Sequence, residues 1–412
     1  MLIKNVTLLE NGLLKRGRGI LIENNRIAKI DSNIRSVDDS TIDGCGMLAV
    51  PGLINSHTHL AMTLFRGYAD DMPLIPWLKE KIWPLEAKLT PEDVYWGVKL
   101  GCLELIRFGC TCYNDMYYFM DEAARATREM GLRACQSVVI FDMRPDLLRD
   151  AEIFISNWQN DELIKPAVGP HAVYTCSEET LLRSRDLAMR YDTTLHIHLS
   201  ETKQEVDEFA KEHGKSPIEY LDSIGFLSKR VVAAHCTRIS KRDISILASR
   251  DVNVATCPIS NLKLATGIAP LCDLHAAGVN ICIGTDSACS NNNLNIFEEM
   301  KTSALLDRLI CTRSEFIPVE KVWMMATQNA YRALDLDLGL HVGALADLCL
   351  IDLKKPWFIP SNNIITNLIF SMPGIVDTTI VNGRVLMKNG IIPGEEEILE
   401  KAQRQFEDIM ER

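Results

Sequence analysis

Between residues 49 and 339 the chain repeats one unit, a short apolar run followed by a longer amphipathic stretch. The runs around residues 47–54, 110–113, 134–140, 167–173, 194–197, 231–234, 252–256 and 280–283 read as buried β-strands. Each is too short for a helix, and most are bounded by turn-forming or polar residues. Helical text at 91–107, 121–130, 178–191, 241–249 and 270–277 lies between most of them. Eight β/α units in roughly 290 residues predict a (β/α)8 TIM barrel. A doubly wound open sheet competes, but no Gly-x-Gly-x-x-Gly or phosphate-binding loop follows any of the strands.

Both ends of the chain read differently. Residues 2–8, 19–23 and 26–30 are strand-like, with Asn24-Asn25 as a hairpin turn. Strand-like text returns at 347–352 and 378–386. The expected organisation is a small β-sandwich domain made from 1–48 plus 340–400, a TIM barrel over 49–339, and a C-terminal helical tail at 401–412.

A net charge of −11 with no Lys/Arg-rich block argues against a nucleic-acid partner. No apolar run is long enough to span a membrane, and no secretory signal opens the chain. The 13 cysteines are scattered through apolar text, which suits reduced, buried thiols better than a disulfide framework. The expected location is cytoplasmic.

Reactive residues of a TIM barrel gather at the C-terminal ends of its strands. His57 and His59 follow the first run in Pro-Gly-Leu-Ile-Asn-Ser-His-Thr-His, and His171 follows the fourth. The fifth continues Leu-His-Ile-His-Leu-Ser-Glu, carrying His196, His198 and Glu201. His235 closes the sixth, and Asp286 closes the eighth in Gly-Thr-Asp-Ser. Six of the nine histidines thus fall in four short segments at strand ends. One histidine so placed is ordinarily a satisfied polar group, and Asp286 alone could cap a turn. Together they describe a metal site, because neutral imidazoles and a carboxylate are transition-metal donors. Spacing does not choose between His196 and His198, which share a strand face. Glu205, Asp207 and Glu208 read as a solvated helix face.

These segments resemble the amidohydrolase superfamily, and more narrowly its methylthioadenosine/S-adenosylhomocysteine deaminase group with the 5′-deoxyadenosine deaminases. The likeness runs over nearly the whole chain. It implies one divalent metal per subunit, zinc first with Fe²⁺ or Mn²⁺ admitted by the same donors, on His57, His59, His198 and Asp286. The family pattern puts the ligand three residues before the acidic residue, which selects His198. Many two-metal relatives carry a lysine at the end of the fourth strand; Gly169-Pro170-His171 stands here, which implies a single ion and turns His171 to the substrate.

The implied reaction is hydrolytic deamination of a 5′-modified adenosine (5′-deoxyadenosine, 5′-methylthioadenosine or S-adenosylhomocysteine) in S-adenosylmethionine salvage. Glu201 would protonate N1 of the adenine, while Asp286 and His235 accept and hold the proton of the attacking water. Glu86, in Ile-Trp-Pro-Leu-Glu, would bind the ribose hydroxyls. Met62, Met72, Trp77 and Trp83 could form an apolar slot, and Arg144 or Arg149 could grip a substrate carboxylate. The segment 258–264, Pro-Ile-Ser-Asn-Leu-Lys-Leu, resembles a family loop over the site but receives no role. A homo-oligomer, dimer or tetramer, is the expected assembly. Competing readings are a guanine or cytosine deaminase, a triazine chlorohydrolase, or a non-catalytic scaffold of the same fold.

Overall fold

The computed structural model describes residues 1–10, 13–34, 41–311 and 316–412. The N-terminal part gives β1 (Leu2–Glu10), β2 (Leu13–Glu23), β3 (Arg26–Asp31), β4 (Thr41–Asp43) and β5 (Met47–Pro51). Eight parallel strands then form the barrel: β6 (Leu53–Thr58), β7 (Cys110–Tyr117), β8 (Arg133–Ile140), β9 (Ile164–Pro170), β10 (Leu195–Leu199), β11 (Val231–His235), β12 (Asn253–Thr256) and β13 (Asn280–Ile283). The chain returns to the small sheet with β14 (Leu348–Asp352), β15 (Thr378–Val381) and β16 (Arg384–Met387).

The small domain is a mixed sheet in the order β16-β15-β14-β5-β1-β2-β3, with β4 beside β1. Its two halves meet where Thr7 of β1 pairs with Leu48 of β5. They enclose one core, in which Ile3, Val6, Ile20 and Ile27 pack with Ala49, Leu348, Leu350 and Ile380. That is the sandwich built from both chain ends. Asn382 and Gly383, with φ of 51° and 74°, turn the expected single run 378–386 into a hairpin.

The first apolar run, 47–54, also proves to be two strands. Met47–Pro51 pairs antiparallel with Leu348–Asp352 in the small sheet, and only Leu53–Thr58 enters the barrel. Gly52 makes the redirection: a Cβ there would lie 2.0 Å from Thr111 Oγ1, so no side chain fits. The barrel text therefore begins beyond this glycine rather than at residue 49.

The barrel closes between its first and last strands. A Cβ on Gly284 would sit 2.6 Å from the His57 backbone nitrogen, and this close approach lets Asp286 N–H donate to His57 O at 2.9 Å. The interior floor is small and apolar: Ile54, Cys112, Cys135, Ala167, Val232, Ala255 and Cys282, one from each of seven strands. The helix Gln328–Leu334 plugs that end, with the Tyr331 hydroxyl donating to Gly52 O. Many of the cysteines are thus packing residues of strands. One pair departs from the expectation of reduced thiols. Cys272 and Cys311, 39 residues apart, are brought within 5.9 Å (Cα–Cα) and joined as a disulfide.

The C-terminal helix, Glu395–Glu411, starts six residues before the expected tail and is docked rather than free. It buries Ile398, Ala402 and Ile409, and Arg412 reaches Asp93 Oδ1 at 2.7 Å. Among the described residues no helix is long and apolar enough to cross a membrane.

Candidate active site

Three histidines, two buried and His59 partly so, converge with one aspartate at the C-terminal mouth of the barrel. His57 is the penultimate residue of β6, His59 follows the strand, His198 lies on β10, and Asp286 follows β13. His59 Nε2 lies 3.2 Å from His198 Nε2, and Asp286 Oδ1 lies 3.6 Å from His57 Nε2 and 3.4 Å from His59 Nε2. His235, at the end of β11, packs its ring 5.1 Å from that of His57. Asp286 and His235 both hold left-handed backbone, at φ of 59° and 73°. Such residues cost about 1–3 kcal/mol each and persist only where their surroundings over-determine them.

Burial drives the imidazoles of His57, His171, His196, His198 and His235 down, those of His171 and His235 to about 3. These rings are therefore neutral at pH 7. Backbone carbonyls then fix which nitrogen carries the hydrogen. His59 Nδ1 donates to Met116 O at 2.7 Å, and His198 Nδ1 donates to His171 O at 2.8 Å, so each turns an Nε2 lone pair inward. His57 Nδ1 meets His196 Nε2 at 2.8 Å, which leaves His57 Nε2 buried inside the cluster with no protein partner. His196 thus sits one layer below the cluster and orients His57; His198 is the member of the pair that faces the others.

Donor atoms of His57, His59 and Asp286, and those of His57, His198 and His235, lie within 4.8 Å of one another. Neutral nitrogens, a carboxylate and an orphaned buried lone pair are the donor set a divalent cation requires. The residues fit a metal.

Glu201 is almost fully buried, with Oε2 3.7 Å from His235 Nε2. Burial raises its carboxyl well above the usual range, and the Asp286 and Glu205 charges push the same way. Asp286 goes in the opposite direction. Burial works to raise it, but His57 first, then His59 and His235, hold it far below an ordinary carboxylate.

Glu205, expected on a solvated face, is buried. It forms a capping box with Thr202 and accepts from the N–H groups of Ser200 (3.0 Å) and Glu201 (2.7 Å). It therefore clasps the turn that carries Glu201, while Asp207 and Glu208 are exposed as expected.

A cavity partly open to solvent extends from this cluster, with about 650 Å³ of empty space when the solvent at its open side is included. Its far wall is the helical stretch after β6, where a π turn at Leu78–Ile82 joins Leu74–Trp77 to Trp83–Glu86. Met62, Trp77, Trp83 and Glu86 line it, whereas Met72, partly buried, packs against the core outside it. Burial lifts the Glu86 carboxyl to about 7 against the pull of Tyr117 and His59. His171 also lines the cavity. The Thr175 hydroxyl donates to Ala172 O at 3.1 Å and so accepts from His171 Nδ1 at 3.0 Å, leaving Nε2 as an acceptor. Tyr118, Phe141 and Tyr174 complete the rim. Arg144 is tied to Asp146 at 2.8 Å, Arg149 is exposed, and neither lines the cavity.

Sequence reasoning passed over these rim aromatics, together with Glu205, Ser260, Asn261 and Ser290. Only the unexplained segment 258–264 offered a signal for Ser260 and Asn261.

The amidohydrolase family profile matches residues 48–386. The chain belongs to the amidohydrolase family. It is 62% identical over 410 residues to a 5′-deoxyadenosine deaminase from Methanothrix thermoacetophila, covering 100% of this amidohydrolase and 99% of that protein. A 5-methylthioadenosine/S-adenosylhomocysteine deaminase from Archaeoglobus fulgidus is 43% identical, with 98% and 97% covered. Among solved structures, an adenosine deaminase from Xanthomonas campestris with bound zinc superposes with a TM-score of 0.96 at 31% identity, covering 100% and 98% of the two chains.

Proposed function

We propose that this amidohydrolase deaminates 5′-modified adenosines at C6, releasing ammonia and the matching inosine analogue. The observation that carries the reading is a pair of carboxyls, Glu201 and Asp286, displaced in opposite directions within one cavity whose far wall carries Glu86. Two carboxyls pushed apart in this way divide the labour of acid and base. Glu201, whose carboxyl is the one raised, is the acid that can donate to N1 of the purine as C6 is attacked. Asp286 stays ionised and takes one proton of the attacking water, which it passes to the departing amine, and the proton left on the C6 oxygen returns to Glu201 as the C–N bond breaks.

His57, His59, His198 and Asp286 would hold the metal, zinc being the identity proposed. When bound, the ion supplies the Lewis acidity that makes water a nucleophile near neutral pH. At the opposite wall an ionised Glu86 accepts the two ribose hydroxyls, and the His171 Nε2 lone pair offers a further acceptor. Names of the relatives agree with this chemistry.

The 5′ end of the nucleoside would meet Tyr118, Phe141 and Tyr174. Among the described residues lining the cavity there is no lysine or arginine. This favours the small apolar substituents of 5′-deoxyadenosine and 5′-methylthioadenosine over the charged amino-acid tail of S-adenosylhomocysteine. A homo-oligomer, dimer or tetramer, is the proposed assembly, to be read by light scattering.

Ammonia release from the metal-replete protein tests the assignment. Turnover is expected on 5′-deoxyadenosine and 5′-methylthioadenosine, less on S-adenosylhomocysteine, and none on adenine, guanine, cytosine or chlorotriazines. Turnover confined to the free bases or triazines would overturn it.

A further inference from the structure

The segment 258–264 forms a short helix, Pro258–Lys263, after β12 and lies against Asp286 and His235. Ser260 Oγ donates to Asp286 Oδ2 at 2.5 Å, and Ser290 Oγ donates to the same oxygen at 2.8 Å. Both hydroxyls are buried, and both hold the oxygen that faces away from the histidines. Its neighbour Asn261, 1% exposed, donates from Nδ2 to His235 Nδ1 at 3.0 Å.

A third group supports the direction of that last bond. The Thr266 hydroxyl donates to the Asn261 backbone O at 3.4 Å and accepts from Asn261 Nδ2 at 3.0 Å. The amide therefore presents N–H to both Thr266 and His235. Here His235 differs from its neighbours. His59 and His198 have Nδ1 against a carbonyl, which accepts; His235 has Nδ1 against an amide N–H, which donates. A neutral ring that accepts at Nδ1 carries its hydrogen on Nε2. The His235 Nε2 is buried with no partner and stands 3.7 Å from Glu201 Oε2.

We propose that Ser260 and Asn261 are adjacent positioning residues with separate tasks. Asn261 locks His235 as the Nε2–H tautomer, so that His235 donates to the oxygen adding at C6 and is neither a metal ligand nor the acceptor of the water's proton. Ser260, backed by Ser290, occupies Asp286 Oδ2 and turns Oδ1 to the histidines. The platform is itself anchored from below. Buried Glu299 accepts from Ile259 N–H at 3.2 Å and from Asn291 Nδ2, which ties the helices carrying Ser260 and Ser290 to Ile296–Ile310. The consequence for catalysis rests on the deaminase reading above; the tautomer and the metal affinity do not.

The test uses the full chain and begins without substrate. In ¹⁵N-histidine-labelled, metal-free protein, His235 is expected to show a protonated Nε2 and a bare Nδ1. Asn261→Asp keeps the size but makes the partner an acceptor, so the pattern should reverse. In the zinc-loaded enzyme the same variant should lose about 10–100-fold in kcat, the range for an outer partner of a site residue, with KM unchanged. Ser260→Ala should weaken zinc about 10-fold in chelator competition, and Ser260→Thr, which keeps the hydroxyl, should restore it. Thermal melts of each variant separate these effects from misfolding, and Asn261→Ala stands in should the aspartate variant not fold. A protonated Nδ1 on wild-type His235 overturns the assignment for Asn261. Unchanged zinc affinity in Ser260→Ala overturns that for Ser260. Failure of wild-type protein to deaminate any nucleoside would instead strike the functional reading and leave both measurements interpretable.

Discussion

The two ends of the barrel treat buried polar groups in opposite ways. At the floor, Arg133 Nε donates to Asp347 Oδ2 at 2.9 Å with both side chains almost wholly buried. Asp347 Oδ1 also accepts from Asn382 N–H, and Arg133 Nη1 donates to Glu162 O. The charges answer each other across the joint between the barrel and the small sheet. At the mouth, His57 Nε2 and His235 Nε2 have no protein partner, and Ser200, His235, Cys236 and Asp286 all hold left-handed backbone. Satisfied charge at one end holds the fold together. Orphaned donors and strained backbone at the other are what a site prepared for a cation and a reacting molecule looks like.

Removing the metal should break the contrast most severely. Stripping by a chelator is expected to abolish turnover, and one equivalent of zinc should restore it, as followed by elemental analysis beside ammonia release. At a free ion concentration about 100-fold above its dissociation constant, binding adds about 2.7 kcal/mol to stability, so the apo protein should melt lower yet still cooperatively. Full activity in metal-free protein would sink the reading of the mouth. Next in size is Glu201→Gln. Loss of the N1 proton donor should lower kcat by about 10²–10⁴-fold while zinc content stays unchanged.

Glu86→Gln should act more gently. Loss of a charge-assisted contact to the ribose, about 1.5–3 kcal/mol, corresponds to roughly 10- to 150-fold in kcat/KM. The same carboxyl, at about 7, must be ionised to accept the hydroxyls. Wild-type KM should therefore rise as pH falls through 7 and level off above it, and the glutamine variant should lose that dependence. A wild-type KM that is flat across pH 6–8 would argue against a ribose-binding carboxylate here.

Much of this was readable in the chain because barrel strands are short, apolar and regularly spaced, and because metal donors cluster at their ends. His57, His59, His198 and Asp286 each sit at a strand terminus whose pattern is local. What escaped notice depends on distant partners. Glu205 looks like its exposed neighbours until the turn at Ser200 folds onto it. The run 47–54 divides only because Thr111, far along the chain, leaves no space beside Gly52. Ser260 and Asn261 gain meaning from Asp286 and His235, each 26 residues away. The link between Cys272 and Cys311 depends on which helices end side by side, and periodicity is silent on that.

The floor supplies the smallest effect on turnover and the largest on stability. Asp347→Ala leaves the Arg133 guanidinium buried without its counter-charge and the Asn382 N–H without its acceptor. Breaking a buried pair from one side costs about 3–5 kcal/mol. Arg133→Met should cost less, because the remaining carboxylate keeps the Asn382 N–H. Denaturant unfolding measures both. In the fraction that remains folded, kcat and zinc affinity should match wild type, since the pair lies at the N-terminal ends of the strands and the chemistry at the C-terminal ends. A fall in kcat at full folding would mean that the two ends are mechanically coupled through the strands. The separation of stability from catalysis along the barrel axis would then fail.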